Sequence, residues 1–179
     1  MDIGILILRV AIGGLVAAHG AQKLFGWFGG HGLEGTGGFF AGLGFRPARA
    51  MAFMAGMTEF GGGLSLLFGF LTPLGAAAIV GVMTTAALSA HWPKGLWNTN
   101  GGYELPLTYA IVAIAVAMTG PGAYSADARL GIVLSGPMVG LWVAAVGVLS
   151  GIAMNGWRVA GRRAATVHEM DRGRDTRAA

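Results

Sequence analysis

Two stretches of this chain hold most of the side chains able to do chemistry. HGAQKLFGWFGG, residues 19–30, and HWPKGLWNTNGG, residues 91–102, each run from a histidine through a lysine and a tryptophan to a pair of glycines. Imidazole is the side chain that exchanges protons near neutral pH. His19 and Lys23 are four residues apart, so on a helix they share one face, with Gln22 beside them. Glu59 lies inside the apolar run AGMTEFGGG, and Glu104 follows Tyr103 just beyond the second stretch. His19, Lys23, Glu59, His91 and Glu104 therefore form a candidate proton-handling or catalytic set. Gln22, Trp27, Trp97, Asn100 and Tyr103 would supply hydrogen-bonding groups and aromatic walls for a bound ring or headgroup.

The elements that must position these residues are membrane helices. Of 179 residues, 54% are hydrophobic and 11% charged, and mean hydropathy is +0.64, a balance foreign to soluble domains of this size. A hydrocarbon layer of about 30 Å needs about 20 apolar residues in a helix. Five segments meet or approach that length: 3–25, 50–71, 73–91, 104–119 and 132–157. The expected fold is all-α: an integral membrane four-helix bundle over 1–130, an additional transmembrane helix over 131–157, and a basic, flexible cytoplasmic tail over 158–179. Thr72-Pro73 suits a helix start, with Thr as N-cap and Pro at the first helical position. Residues 36–43, in the long first loop, read as a short interfacial or re-entrant helix.

Depth along the helices narrows what Glu59 can meet. At the rise of an α-helix, Glu59 falls about 13 Å into the second span, His19 about 6 Å inside one end of the first and Arg9 about 9 Å inside the other. Two readings stay open: a structural ion pair with Arg9, or a share in a proton or substrate site with His19. Lys23 has the alternative of a snorkelling anchor beside Trp27 in the interfacial aromatic belt. His19 has that of a hydrogen-bonded packing residue, and Glu104 that of a carboxylate at the positive end of a helix dipole.

Several function classes drop out. The chain has no cysteine, which removes disulfides and thiolate chemistry. GHGLEG, residues 30–35, matches G-x-G-x-x-G but has no strand before it, so it is not a dinucleotide site. The pI near 10.1 does not indicate nucleic acid, because six of the twelve basic residues sit in the tail behind an apolar segment. There they act as an orientation signal or attract anionic headgroups. With five spans, the basic loops and tail share one side, which sets the C-terminus in the cytoplasm and the N-terminus outside a plasma membrane. The first span is too long for a cleaved signal peptide and is read as retained. Haem held by His19 and His91 is disfavoured, since neither has an evident partner for its second ring nitrogen, and no metal site is expected. Gly136, Gly140, Gly147 and Gly151 form a flat stripe suited to close helix packing, including self-association into a homo-oligomer.

The segments HGAQKLFGWFGG, GTGGFF, LGFRP, EFGGG, TPLGA, HWPKGLW, NTNGGYELPL and TGPGAYS, in that order, resemble the DoxX family of small membrane proteins. The resemblance covers about residues 5–130 and implies a four-helix transmembrane unit. Some relatives are subunits of quinone-linked sulfur oxidoreductases or quinol oxidases, and the resemblance, together with the clustering of the candidate residues, implies a quinone head or a small anionic reductant as the ligand. It points to His19, Gln22, Lys23, Glu59, His91, Gly102, Tyr103 and Glu104 without assigning roles. The segment from 132 onward departs from it. Two expectations follow: a membrane subunit of a quinone-linked oxidoreductase system, with a soluble oxidoreductase partner at the cytoplasmic face, or a non-catalytic scaffold recruiting a soluble enzyme. A small-solute or lipid transporter is a third.

Overall fold

The computed structural model describes the backbone of residues 2–178 and the side chains of residues 2–162. Among the described residues seven α-helices follow one another: α1 (Asp2–Phe25), α2 (Gly32–Leu43), α3 (Ala48–Phe68), α4 (Thr72–Ala86), α5 (Glu104–Thr119), α6 (Ala126–Leu130) and α7 (Pro137–Ala178). There is no strand among the described residues. Among the described residues, four stretches are long and apolar enough to cross a membrane, Asp2–Phe25, Ala48–Phe68, Thr72–Lys94 and Pro137–Arg162. The end expected for the last span, residue 157, falls inside α7, and the side chains of the expected tail beyond Arg162 lie outside the described residues.

The bundle is built on α1 and α3, which run antiparallel with their backbones nearly touching. A Cβ added at Gly13 would lie 2.6 Å from Leu67 N and 2.7 Å from Gly63 O; one at Gly20 would lie 2.7 Å from Gly56 O. Lipid offers no hydrophobic drive for helix association, so such close approach through small residues supplies the packing. α4 and α5 complete the ring around a core of Val16, Leu66, Ile79, Val80, Tyr109 and Val116. Gly20→Ala is expected to lower stability by about 1–3 kcal/mol, because the methyl meets backbone that cannot rotate away. Thermal unfolding of the purified protein in detergent measures it.

α7 runs the full length of the bundle. Its Gly140 faces Met118 of α5, its Gly147 and Gly151 face Val80 and Thr84 of α4, and its Arg158 reaches the carbonyl of Leu43. Val143 is buried in the common core. The stripe expected to offer a self-association surface is therefore covered by this chain's own α4 and α5. Gly136 precedes the helix; a Cβ there would meet nothing within 4 Å, and it joins the contact through its backbone, donating from N to Met118 O at 2.8 Å.

At one end of the bundle, α5 is too short for its surroundings. Its 16 residues rise about 24 Å, and the chain then leaves helical geometry at Gly120. Arg9, 1% exposed, fills the polar deficit that results. Its guanidinium donates at 3.1 Å each to Leu67 O and to Leu66 O at the end of α3, the latter also accepting from Gly69 N at 3.2 Å. It also donates to Pro121 O and, at 3.1 Å, to Tyr124 O in the loop after α5. Irregular backbone at membrane depth survives only when protein groups satisfy it.

Asp127 does the complementary work at the start of α4. Thr72 is not the N-cap that its position before Pro73 suggests; it is the first residue of the helix. The capping oxygens come from Asp127, which accepts from Leu71 N at 2.8 Å, Thr72 N at 2.9 Å and the Thr72 hydroxyl at 2.7 Å. A carboxylate here also meets the positive end of the helix dipole.

Candidate functional site

The opposite end of the bundle holds the two histidines. α1 delivers His19 and Lys23, α3 delivers Glu59, and the third span delivers His91 by an unusual route. α4 stops at Ala86 and continues as one π-helical turn, Ala87–His91, before a 3₁₀ turn, Trp92–Lys94. A π turn holds one residue more than an α turn and is found disproportionately at functional sites, because it re-aims the side chains that follow. The loop from Gly95 to Glu104 closes back over the end through Tyr103 N to Gly95 O and Glu104 N to Leu96 O.

These elements line a half-open cavity of about 170 Å³. His19, Lys23, Glu59, His91 and Tyr109 give it a polar wall, and Met83, Ala86, Leu105 and Pro106 an apolar one; Asn98 and Gly102 complete the lining. The Glu59 side chain, 4% exposed, is ion-paired with the ammonium of Lys23, itself 27% exposed. Of the two readings left open for Glu59, the pair with Arg9 is thereby excluded, since Arg9 is engaged by carbonyls at the far end. Lys23 is likewise no outward anchor. Helical side chains lean toward the helix N-terminus, and a lysine at the C-terminal end of α1 therefore leans into the bundle.

Both imidazoles are oriented by their neighbours. His91 Nδ1 is 2.7 Å from Gly101 O, a group that only accepts, so Nδ1 carries the proton and Nε2 is left as an acceptor. His19 Nδ1 is 3.1 Å from Gln22 Oε1. The amide of Gln22 is fixed in that sense because its Nε2 donates to Phe28 O at 3.2 Å. His19 therefore has the same tautomer as His91. The ring of Tyr109 lies 6.2 Å from that of His19, centroid to centroid.

The remaining sequence candidates sit around the cavity without lining it. Glu104 opens α5, but its carboxylate accepts from Asn98 N at 2.8 Å and so ties down the loop. Tyr103 stacks on Trp92 at 5.1 Å. Trp97 and Asn100 are exposed in the loop, and Trp27 is exposed beside Phe25 at 5.0 Å. Gln22 acts through His19. It also lines, with Lys23, His31 and Thr36, a wider depression under α2. No group of three or more potential metal ligands occurs among the described residues. Tyr109 was not among the sequence candidates, because α5 is apolar all round and nothing in its pattern indicates which side faces inward.

Comparison with known proteins decides the family. The DoxX family pattern matches residues 4–92. The chain is also 30% identical over 131 residues to the inner membrane protein YqjF of Escherichia coli (strain K12), a DoxX-family member, covering 72% of this chain and 93% of that protein. The chain belongs to the DoxX family. It is a multi-pass membrane protein, and the DoxX match contains the cavity residues His19, Lys23, Glu59, Met83, Ala86 and His91. Tyr109 and α7 lie beyond that DoxX match. No solved structure matches the chain.

Proposed function

We propose that this DoxX protein is a membrane subunit of a quinone-linked oxidoreductase and that its cavity receives the ring of a quinone or quinol. One observation carries the reading: two imidazoles of the same tautomer, a phenol and a charge-compensated lysine–glutamate pair all line one pocket. A cavity of about 150 Å³ holds a benzene ring, so a space of about 170 Å³ suits a single six-membered ring. A quinol hydroxyl would donate to an imidazole Nε2, and a quinone carbonyl would accept from the Tyr109 phenol. Because Lys23 is neutralised by Glu59, an uncharged ring suits the site better than a small anion. A bound quinone supplies two-electron chemistry coupled to two protons, and His19 and His91 would pass those protons. The electrons would come from a soluble partner at the same end. Lys23, Arg46, Arg49, Lys94, Arg158 and Arg162 crowd that end, against Arg129 at the other, which by the positive-inside rule supports a cytoplasmic side for the cavity.

Titration of the detergent-purified protein with a ubiquinone or menaquinone analogue tests this. Saturable binding is expected, weakened roughly tenfold by His91→Ala or Tyr109→Phe, the effect of losing one buried hydrogen bond. Absent binding, or binding indifferent to His19→Ala and His91→Ala, refutes it. A co-purifying enzyme that stays bound in the histidine variants, in a protein that takes no quinone, would identify a scaffold.

A further inference from the structure

A second cavity, also about 170 Å³, lies on the outer side of the α3–α4 layer. Phe40, Phe45, Met51, Ala55 and Met154 make it almost wholly apolar. The two cavities use neighbouring residues of the same helices. Thr58, Val82 and Thr85 face the outer one, and Glu59, Met83 and Ala86 the inner one. The helix backbones stand between them, so the outer space is no extension of the quinone pocket, and what fills it is independent of that reading.

The outer cavity has a charged rim. Ser150, Met154 and Arg158 follow one another at four-residue intervals and so form a column on one face of α7. The first two line the cavity. Arg158 stands above them, its guanidinium 6.0 Å from the centre of the Phe45 ring. It donates from Nε to Asn155 Oδ1 at 2.9 Å and from one terminal nitrogen to Leu43 O at 3.0 Å. Arg46, next to Phe45, uses a single terminal nitrogen for Ala41 O at 3.1 Å and Phe45 O at 2.8 Å. These bonds close the C-terminal end of α2, yet each guanidinium keeps further donors. Neither arginine has a carboxylate within ion-pair distance among the described residues. Trp157, exposed, donates its indole N–H to Arg46 O at 3.2 Å, the disposition of an aromatic at the membrane interface.

We propose that this is a site for an anionic phospholipid, with an acyl chain in the Phe–Met cavity and the phosphate on Arg46 and Arg158. An apolar cavity within a membrane-spanning bundle is filled by chains of the surrounding lipid, and basic groups where helices meet the interface select acidic headgroups. The added helix α7 makes the site, since it contributes Ser150, Met154 and Arg158.

The test is lipid retention by the full chain. Protein in detergent is equilibrated with equal amounts of phosphatidylglycerol and phosphatidylcholine, and the bound lipid is counted by native mass spectrometry. One phosphatidylglycerol should be retained. Arg46→Gln with Arg158→Gln should lower the preference for it by roughly fivefold per arginine, while a chain is still held. Ala55→Phe, which fills the cavity and leaves both arginines, should abolish retention of either lipid. Ala78→Leu is a gentler plug should that variant fail to fold. Equal retention of the two lipids by the unaltered chain, or retention that survives the plug, overturns the proposal.

Discussion

Lys23→Met should destabilise the protein by about 3–5 kcal/mol, the loss that follows when one member of a buried ion pair goes and the other charge stays. The loss should be asymmetric. Glu59 is 4% exposed and has no second cation within ion-pair distance among the described residues, whereas Lys23, 27% exposed, also lines the open depression under α2. Freed from Glu59, the lysine can turn toward water, so Glu59→Gln should be much the milder change. Lys23→Met combined with Glu59→Leu should recover most of the stability, because an apolar pair of similar volume needs no compensation. Chemical unfolding of the three variants in mixed micelles measures the cycle. A Lys23→Met variant no worse than Glu59→Gln would mean that the lysine contributes no more than an interfacial anchor.

The second large loss is expected at the other end of the bundle. Arg9→Met removes the donor shared by four carbonyls, those of Leu66, Leu67, Pro121 and Tyr124. Leu66 O keeps the bond from Gly69 N at 3.2 Å, but the other three carbonyls lose their donor; at about 1–3 kcal/mol for each buried acceptor left unsatisfied, and with some relaxation, a loss of about 3 kcal/mol should follow. Arg9→Lys should not restore it, since a compact ammonium cannot reproduce the planar fork. Thermal unfolding distinguishes the two variants from the parent, and full stability of Arg9→Lys would show that charge alone suffices.

The spans were readable in the sequence because a bilayer leaves so few choices: only long apolar runs can serve, and these stand out at once. The gathering of His19, Lys23 and His91 at one end followed from counting residues along those runs. The partner of Glu59 did not follow. Depth arithmetic treats a residue as a point on the helix axis, whereas Lys23 reaches back along α1 by the length of its side chain. Thr72 was read as its own cap because a capping oxygen 55 residues away leaves no local trace. Glycine packing was legible only in part: the stripe on α7 packs closely, but against this chain's own α4 and α5. Among 33 glycines the stripe on α7 stood out, while the pairs that bring α1 and α3 into backbone contact, Gly13 with Gly63 and Gly20 with Gly56, are set in two different segments. Only their antiparallel register joins them.

The π-helical turn at Ala87–His91 carries a consequence for how relatives of this protein are compared. One residue more or fewer in a helix rotates everything beyond it by about 100°. A relative with the same histidine, the same tryptophan and the same Pro-Lys-Gly after it, but one residue fewer between Thr72 and His91, would align with no visible defect apart from a single gap. It would cross the membrane equally well, with its imidazole turned away from the cavity. The length of this segment is therefore as much a signature of the site as the residues within it.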